Sequence, residues 1–501
     1  MKVNDDDGEG KVSWTKKDLQ ELVRAKLAGR LFMAVSNREP FIHVSSGDDI
    51  RCVVPASGLT VALDPMMRAC GGVWVAHGSG SADREVVDDK NRVMVPPDDP
   101  SYSLRRVWLT KEEEEGYYLG FSNEALWPLC HNTYTPPNFD EADWNTYKRV
   151  NQLFADAVLD EVGGRQAFVF IQDYHLSLLS RLIKAENPQV TTAQFWHIPW
   201  PNHEVFRICP WGEEILDGLL GNDLLGFHIG YHCDNFLDTV NRALESKIDY
   251  ERSTVSRGGR TTLVRPFPIS VDFDRIACDA ARGEVVEEME RIRKRWRLDR
   301  EFIGVGVDRV DYTKGIPHRL WALDKFLTKH PEYQGRMVFF QLAEPSRTHI
   351  RRYKELNLEI DDLVEEINWR YQSGGWKPIV YISEHLSPTA LLAFHRLAHF
   401  CIVSSLHDGM NLVAKEFVSS RADEDGVLIL SRFTGAAREL TEALLLNPYA
   451  IDDFAETIRE AIEMPKRQRQ ARMRKLRETV EQNNIYQWAG NIISELAALG
   501  P

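Results

Sequence analysis

The stretch L-H-D-G-M-N-L-V-A-K-E, Leu406 to Glu416, sets an acid, a glycine and an asparagine directly ahead of an apolar, helix-forming run. Leu412, Val413, Phe417 and Val418 recur at helical spacing, and Asp408 is the expected N-cap. A helix start of this kind directs free backbone N–H groups at whatever lies in front of it, a good setting for a diphosphate. Glu416, about two turns beyond Asp408, stands near the face of Leu412 and within reach of a polar part of the same ligand. Alone, the string more often describes an ordinary capped helix, so the rest of the chain decides.

Around it, short β-branched runs alternate with longer amphipathic ones. Leu31–Ser36, Ala167–Ile171, Ala193–Trp196 and Leu224–Phe227 read as buried strands, with helices over Asp143–Glu161 and Leu176–Lys184. A second series has strands at Phe302–Val307, Met337–Leu342, Ile379–Ile382, Phe400–Val403 and Val427–Leu430. Helices are expected between them at Pro317–Lys329, Arg347–Arg370, Pro388–His395 and Leu412–Arg421. The pattern predicts an α/β protein of two doubly wound, Rossmann-like halves. The join falls near R-P-F-P-I-S-V-D-F, Arg265 to Phe273, where prolines interrupt regular structure. The expected divisions are a disordered start over 1–15, an N-terminal domain over 16–268 and a C-terminal domain over 269–465. A charged helical segment over 466–501 is expected to pack back on the first domain.

Composition narrows the function. At 501 residues the chain exceeds one core. Its 61 Lys and Arg against 75 Asp and Glu leave a net charge of −14, which disfavours nucleic acids and anionic membranes. Seven scattered cysteines contain no C-x-x-C pair and read as reduced thiols of a cytoplasmic protein, not a disulfide frame or a zinc site. The acidic, polar start is no signal peptide, and no apolar run is long enough to span a bilayer.

In doubly wound sheets, ligands bind beyond the carboxyl ends of the strands, and charged residues cluster there in this sequence. Arg309 and Lys314 flank the turn R-V-D-Y-T-K-G, a fork and a point charge suited to a departing diphosphate. The spacing of Asp308 and Asp311 does not match a D-x-D phosphatase nucleophile. Asp173, Tyr174 and His175 follow a strongly apolar strand, and His197 opens the stiff H-I-P-W-P loop. Arg38 in S-N-R and Arg347 in P-S-R are cations at strand ends in opposite halves, able to grip one phosphate from two sides. The aromatic segment Tyr117 to Pro128 reads as core packing or a lid.

Taken in order, S-N-R, Y-Y-x-x-F-S-N-x-x-L-W-P, D-Y-H-L, H-I-P-W-P, D-L-L-G-F, R-V-D-Y-T-K-G-I-P, P-S-R and D-G-M-N-L-V-A-K-E resemble the trehalose-6-phosphate synthase family of retaining GT-B glycosyltransferases. The likeness runs from about Leu31 to about Ser494. It implies UDP-glucose as donor, glucose 6-phosphate as acceptor, no metal and no further cofactor. It implies acceptor contacts from Arg38, Tyr118, Trp127, Asp173 and Arg347. Donor contacts would come from Gly58, Arg309, Lys314, Leu386, Asp408, Gly409, Met410, Asn411, Leu412, Val413 and Glu416. Arg309, Lys314, His197 and Asp408 would be closest to the chemistry. A separate phosphatase would act on the product; assembly as a dimer or tetramer is left open.

Three departures bear on the acceptor: Ser57 replaces a glycine of the family's G-G-L, His77 falls where the family has G-W-S/P-G, and Gln172 replaces the histidine of H-D-Y-H-L. The sister glucosylglycerol-phosphate synthases, which use glycerol 3-phosphate, share the S-N-R-E-P-F character. A silent sugar-phosphate sensor and a cyclitol-coupling pseudoglycosyltransferase are the remaining alternatives. Retention of Arg309, Lys314 and Glu416 argues against the sensor.

Overall fold

Alternate residues of the strand Leu31–Arg38 enter opposite apolar cores, Met33 and Val35 on one side, Phe32 and Ala34 on the other. The strand Ala167–Gln172 repeats this, with Val169 and Ile171 opposed to Phe168 and Phe170. Side chains alternate with a period of two, so a strand covered on both faces must be apolar throughout. The structure, a computed structural model, describes residues 13–27, 29–47, 49–55, 58–298 and 302–499.

Two large sheets result. In the second, the order is Ile379–Ile382, Met337–Glu344, Phe302–Arg309, Phe400–Val403, Val427–Ser431, Leu444–Leu446, all parallel. Numbered along the chain this is 3-2-1-4-5-6, the doubly wound dinucleotide-binding order. The first sheet carries the same order in its parallel strands: Tyr102–Val107, Val73–His77, Leu31–Arg38, Ala167–Gln172, Thr191–Phe195 and Leu224–Phe227, extended by Arg260–Pro266. Antiparallel strands close its edges. The order reverses beside Leu31–Arg38 in the first sheet and beside Phe302–Arg309 in the second. The two Rossmann-like lobes face one another across a cleft at these reversals, a GT-B arrangement.

Two expected helix starts move for backbone reasons. Arg347 has φ +50°, outside the right-handed helical region, and its helix begins at Arg351. Tyr174–Leu176 forms a 3₁₀ turn, and the following helix spans Leu179–Glu186. The aromatic segment winds as a π-helix over Glu115–Leu126, a wide geometry often found near functional sites. Phe121 packs against Trp144, Tyr147 and Trp211, while Tyr118 reaches the cleft.

The C-terminal 466–501 segment divides. Lys466–Gln482 stays on the second lobe, where Arg477 donates to the Val418 and Ser419 carbonyls and Arg469 pairs with Asp425. Only Ile485–Ala498 returns to the first lobe, against Lys16–Leu27 and Gly58–Cys70. Asn484 caps this last helix through Tyr486 N and Gln487 N, and its amide donates to the carbonyl of Trp14 and the hydroxyl of Ser13. Ser13 and Trp14, within the stretch expected to be disordered, are therefore held; residues 1–12 lie outside the described residues. No helix among the described residues is long and apolar enough to cross a membrane.

Candidate active site

A cleft of about 470 Å³ opens where the two reversal points face each other. Arg38 and Asp173 reach it from the first lobe, Arg309 and Asp408 from the second.

On the second-lobe wall, Arg309 ends its strand and Lys314 follows on the turn Tyr312–Lys314. Asp311 caps that turn by accepting from Thr313 N at 3.0 Å. Beneath it, the buried Arg319 pairs with Asp308 at 2.8 Å and donates to Gln341 and Ser404. The Ser404 hydroxyl in turn donates to the Lys314 and Gly315 carbonyls. Gly315, at φ +64°, has no room for a side chain against the Ser404 carbonyl. The Arg309 side chain makes no hydrogen bond or ion pair among the described residues and faces the cleft as an unspent cation.

Asp408 does not cap the helix Leu412–Ser420. Asn411, at φ +79°, does so by accepting from Ala414 N at 3.2 Å. Asp408 lies too far ahead of the first turn and instead accepts from Lys314 Nζ at 2.6 Å, with Ser405 and Asn411 as further donors. Burial opposes its charge, but Lys314 outweighs this and holds the carboxyl well below its usual range. Leu412 and Val413 line the cleft in the first helical turn, where backbone N–H groups lack intrahelical partners. The carboxyl of Glu416, also cleft-lining, makes no hydrogen bond or ion pair among the described residues, and burial pushes it up to about 7.

Opposite, Arg38 Nη2 donates to the Tyr118 hydroxyl at 3.0 Å. Arg347 crosses from the second lobe: its guanidinium lies 4.1 Å from the Trp127 ring centroid and donates to Asp311, to the Tyr353 hydroxyl at 2.6 Å and to the Tyr174 hydroxyl at 3.4 Å. Burial opposes ionisation of Tyr118, yet Arg38, Arg347 and Arg309 together bring its hydroxyl down to about 7. Three guanidiniums acting on one phenol mark a place built for an anion. Asp173 adopts φ +71° and ψ 178°, a conformation costly for any residue but glycine. Its carboxylate accepts from Tyr174 N and His197 N, which hold it at the cleft wall, while burial pushes it up to about 7.

The residue after Arg38 begins a buried ionic cluster. Neighbouring Glu39 is buried against Arg106 at 2.8 Å, and Arg106 also meets Asp83 at 2.8 Å. Burial, then the Asp83 carboxylate, pushes Glu39 up to about 8 despite Arg106. The folded state thus keeps a proton that the unfolded chain releases near 4.5. This contribution to stability is full below that point and is lost as pH rises through about 8. Chemical denaturation across the range should show Glu39→Gln lacking that decline.

Gly58 apart, whose surroundings lie outside the described residues, every expected site residue except Gly409 lines the cleft. Gly58 opens the helix Gly58–Cys70, and its neighbour Ser57 lies outside the described residues. At Gly409 a Cβ would strike the His197 carbonyl and the His228 ring, so this glycine permits close approach of the lobes. His77 sits near the Val107 carbonyl, away from the cleft lining. Sequence reading placed Tyr174 and His175 at the strand end beside Asp173 without a role of their own, and it missed Asp311 as a site-builder. Asp311 links the Lys314 turn to Arg347, and its signal was the second aspartate of D-R-V-D-Y-T, set aside with the phosphatase pattern. Nothing local could have paired Glu39, Asp83 and Arg106.

The glycosyltransferase family 20 model matches residues 31–498. The chain belongs to this family. It is 38% identical over 475 residues to a bifunctional trehalose-6-phosphate synthase/phosphatase of Thermoproteus tenax, covering 93% of this chain but 63% of that relative's length. It is 36% identical to a trehalose-6-phosphate synthase of Mycobacterium avium, covering 94% of this chain and 96% of the relative. Among solved structures, the UDP-forming α,α-trehalose-phosphate synthase of Burkholderia xenovorans in complex with glucose-6-phosphate superimposes with a TM-score of 0.83 at 31% identity, over 93% of this chain and 99% of that one.

Proposed function

We propose that the protein transfers glucose from UDP-glucose to glucose 6-phosphate with retention at the anomeric carbon, releasing UDP and α,α-trehalose 6-phosphate. One observation carries the reading. A single cleft holds an unspent Arg309, Lys314 and a helix start on one wall, and Arg38, Tyr118 and Arg347 around a second anion position. Two phosphoryl groups, one departing and one anchoring the acceptor, fit that division.

On this reading, residues 269–465 hold the nucleotide sugar and residues 16–268 hold most of the acceptor. Arg309, Lys314 and the N–H groups before Leu412 stabilise charge on the departing diphosphate. Glu416 takes the ribose hydroxyls, with Gly58, Leu386, Met410 and Asn411 around the donor. The acceptor hydroxyl attacks the face that the diphosphate leaves; its proton passes to the leaving phosphate oxygen as the new glycosidic bond forms. No side-chain nucleophile is needed, and the protein's work is positioning and charge stabilisation. The two cations supply the positive charge that a divalent ion supplies elsewhere. Asp173 offers a hydroxyl acceptor and Trp127 borders the cleft beside it, features that suit a hexose phosphate better than glycerol 3-phosphate. The names of the relatives support the same choice. Seven free cysteines support a cytoplasmic setting, and a phosphatase activity, named in the Thermoproteus relative, would consume the product.

UDP release measured with UDP-glucose against glucose 6-phosphate and glycerol 3-phosphate, with products weighed by mass spectrometry, tests this. Glucose 6-phosphate should be the preferred acceptor. Preference for glycerol 3-phosphate would favour the sister activity, and no release with either would favour a sensor. A phosphate seated among the guanidiniums should also compete with the Tyr118 phenolate. Ultraviolet titration should find a tyrosine transition near 7 that glucose 6-phosphate moves upward and that is missing in Tyr118→Phe. A transition unmoved by the ligand would take Tyr118 off the phosphate.

A further inference from the structure

Gln172 ends the strand Ala167–Gln172 and is fully buried. Its side-chain amide spans two partners: one end lies 3.4 Å from the Phe170 carbonyl oxygen, the other 2.9 Å from His197 Nε2. A carbonyl oxygen only accepts, so the amide end beside Phe170 must be the NH₂. The end facing His197 is then the oxygen, which also only accepts. His197 Nε2 must therefore carry the hydrogen. Burial, then His228 and His175, hold the ring pKa well below its usual range, so the imidazole is neutral. A neutral ring protonated on Nε2 has a bare Nδ1, and that nitrogen has no hydrogen-bond partner among the described residues.

The rest of His197 is fixed as well. Its N–H donates to the Asp173 carboxylate at 3.2 Å, and its carbonyl accepts from His228 Nε2 at 2.9 Å. The second lobe meets that carbonyl through Gly409, which has no side chain to keep it away. Phe195 packs edge-on against the ring. Asp173, His175 and His228 are the titratable groups facing it, with Asp408 acting on His228 from the second lobe. His197 borders the cleft, whereas Gln172 does not.

We propose that Gln172 is a positioning residue that locks His197 in the Nε2–H tautomer, leaving Nδ1 to accept a hydrogen bond from a hydroxyl of the transferred sugar. This rests on the nucleotide-sugar reading above. An amide cannot titrate, so the tautomer holds across the neutral range.

The tautomer is read from ring nitrogen shifts in protein labelled with ¹⁵N-histidine, with His197→Asn assigning the signal. Wild type should show a protonated Nε2 and a bare Nδ1; the reverse tautomer, or a charged ring, would overturn the proposal. Calorimetry then compares UDP-glucose with UDP. Gln172→Leu should weaken UDP-glucose about tenfold, the size of one hydrogen bond, while leaving UDP unchanged. A general structural defect would weaken both. Gln172→His should recover most of the sugar-dependent affinity. Gln172→Glu should make His197 protonate in the neutral range, so that UDP-glucose affinity falls on acidification while wild type stays level. Equal UDP-glucose affinity in wild type and Gln172→Leu would sink the proposal. If wild type binds UDP but gains nothing from the glucose, the glucosyl-transfer reading fails instead.

Discussion

Arg309→Ala should lose at least about a hundredfold in turnover, with the fold intact. The size comes from lost donors to developing negative charge, which cost about 3–4 kcal/mol elsewhere. Position makes the loss large. Arg309 faces the cleft from the end of Phe302–Arg309 without a protein partner, so its charge is free for the ligand. Lys314 cannot replace it, because Asp408 already holds that ammonium at 2.6 Å. Arg309 forms no direct ion pair among the described residues, so removing it breaks no salt bridge, and Tm should move far less than in an Arg347 variant. Steady-state UDP release together with thermal unfolding measures both. Near-normal turnover in a folded variant would reject the assigned role.

Arg347→Ala should behave differently. Its side chain is 6% exposed and its partner Asp311 is 1% exposed. Removing the guanidinium leaves a buried carboxylate without its counterion, which costs about 3–5 kcal/mol in comparable pairs. It also removes a cation from the acceptor anion position, so acceptor KM should rise far more than donor KM. Adding Asp311→Asn should restore part of the lost Tm without restoring acceptor KM, since the stranded charge is gone while the phosphate contact is still missing. An unchanged acceptor KM in the single variant would remove Arg347 from the acceptor.

Local pattern carries this protein a long way because both sheets are buried on both faces. Phe168, Val169, Phe170 and Ile171 have to be apolar whichever way they point, and such runs mark strands without tertiary knowledge. The strand ends are then located too, and in a doubly wound sheet they are where ligands bind. That is why Arg38, Asp173, Arg309 and Arg347 could be named from sequence. Strands with mixed faces were harder. Tyr102–Val107 alternates buried and half-buried residues, with Arg105 and Arg106 inside it, and was not anticipated.

Sequence by itself determined the two-lobed architecture, the order of the elements and the strand-end charges that border the cleft, since these depend on short-range periodicity and on the few residues just past each strand end; further lining residues such as Trp127 and Leu386 were named only through the family resemblance. Tertiary structure alone decided how those residues are paired: Asn411 rather than Asp408 as the cap, Asp408 against Lys314, Arg347 over Trp127, and Glu39 with Asp83 and Arg106. The physical reason is range. A cap or an ion pair is set by distances of a few ångströms between chain segments far apart in sequence, and the cost of burying a charge is known only once its neighbours are in place.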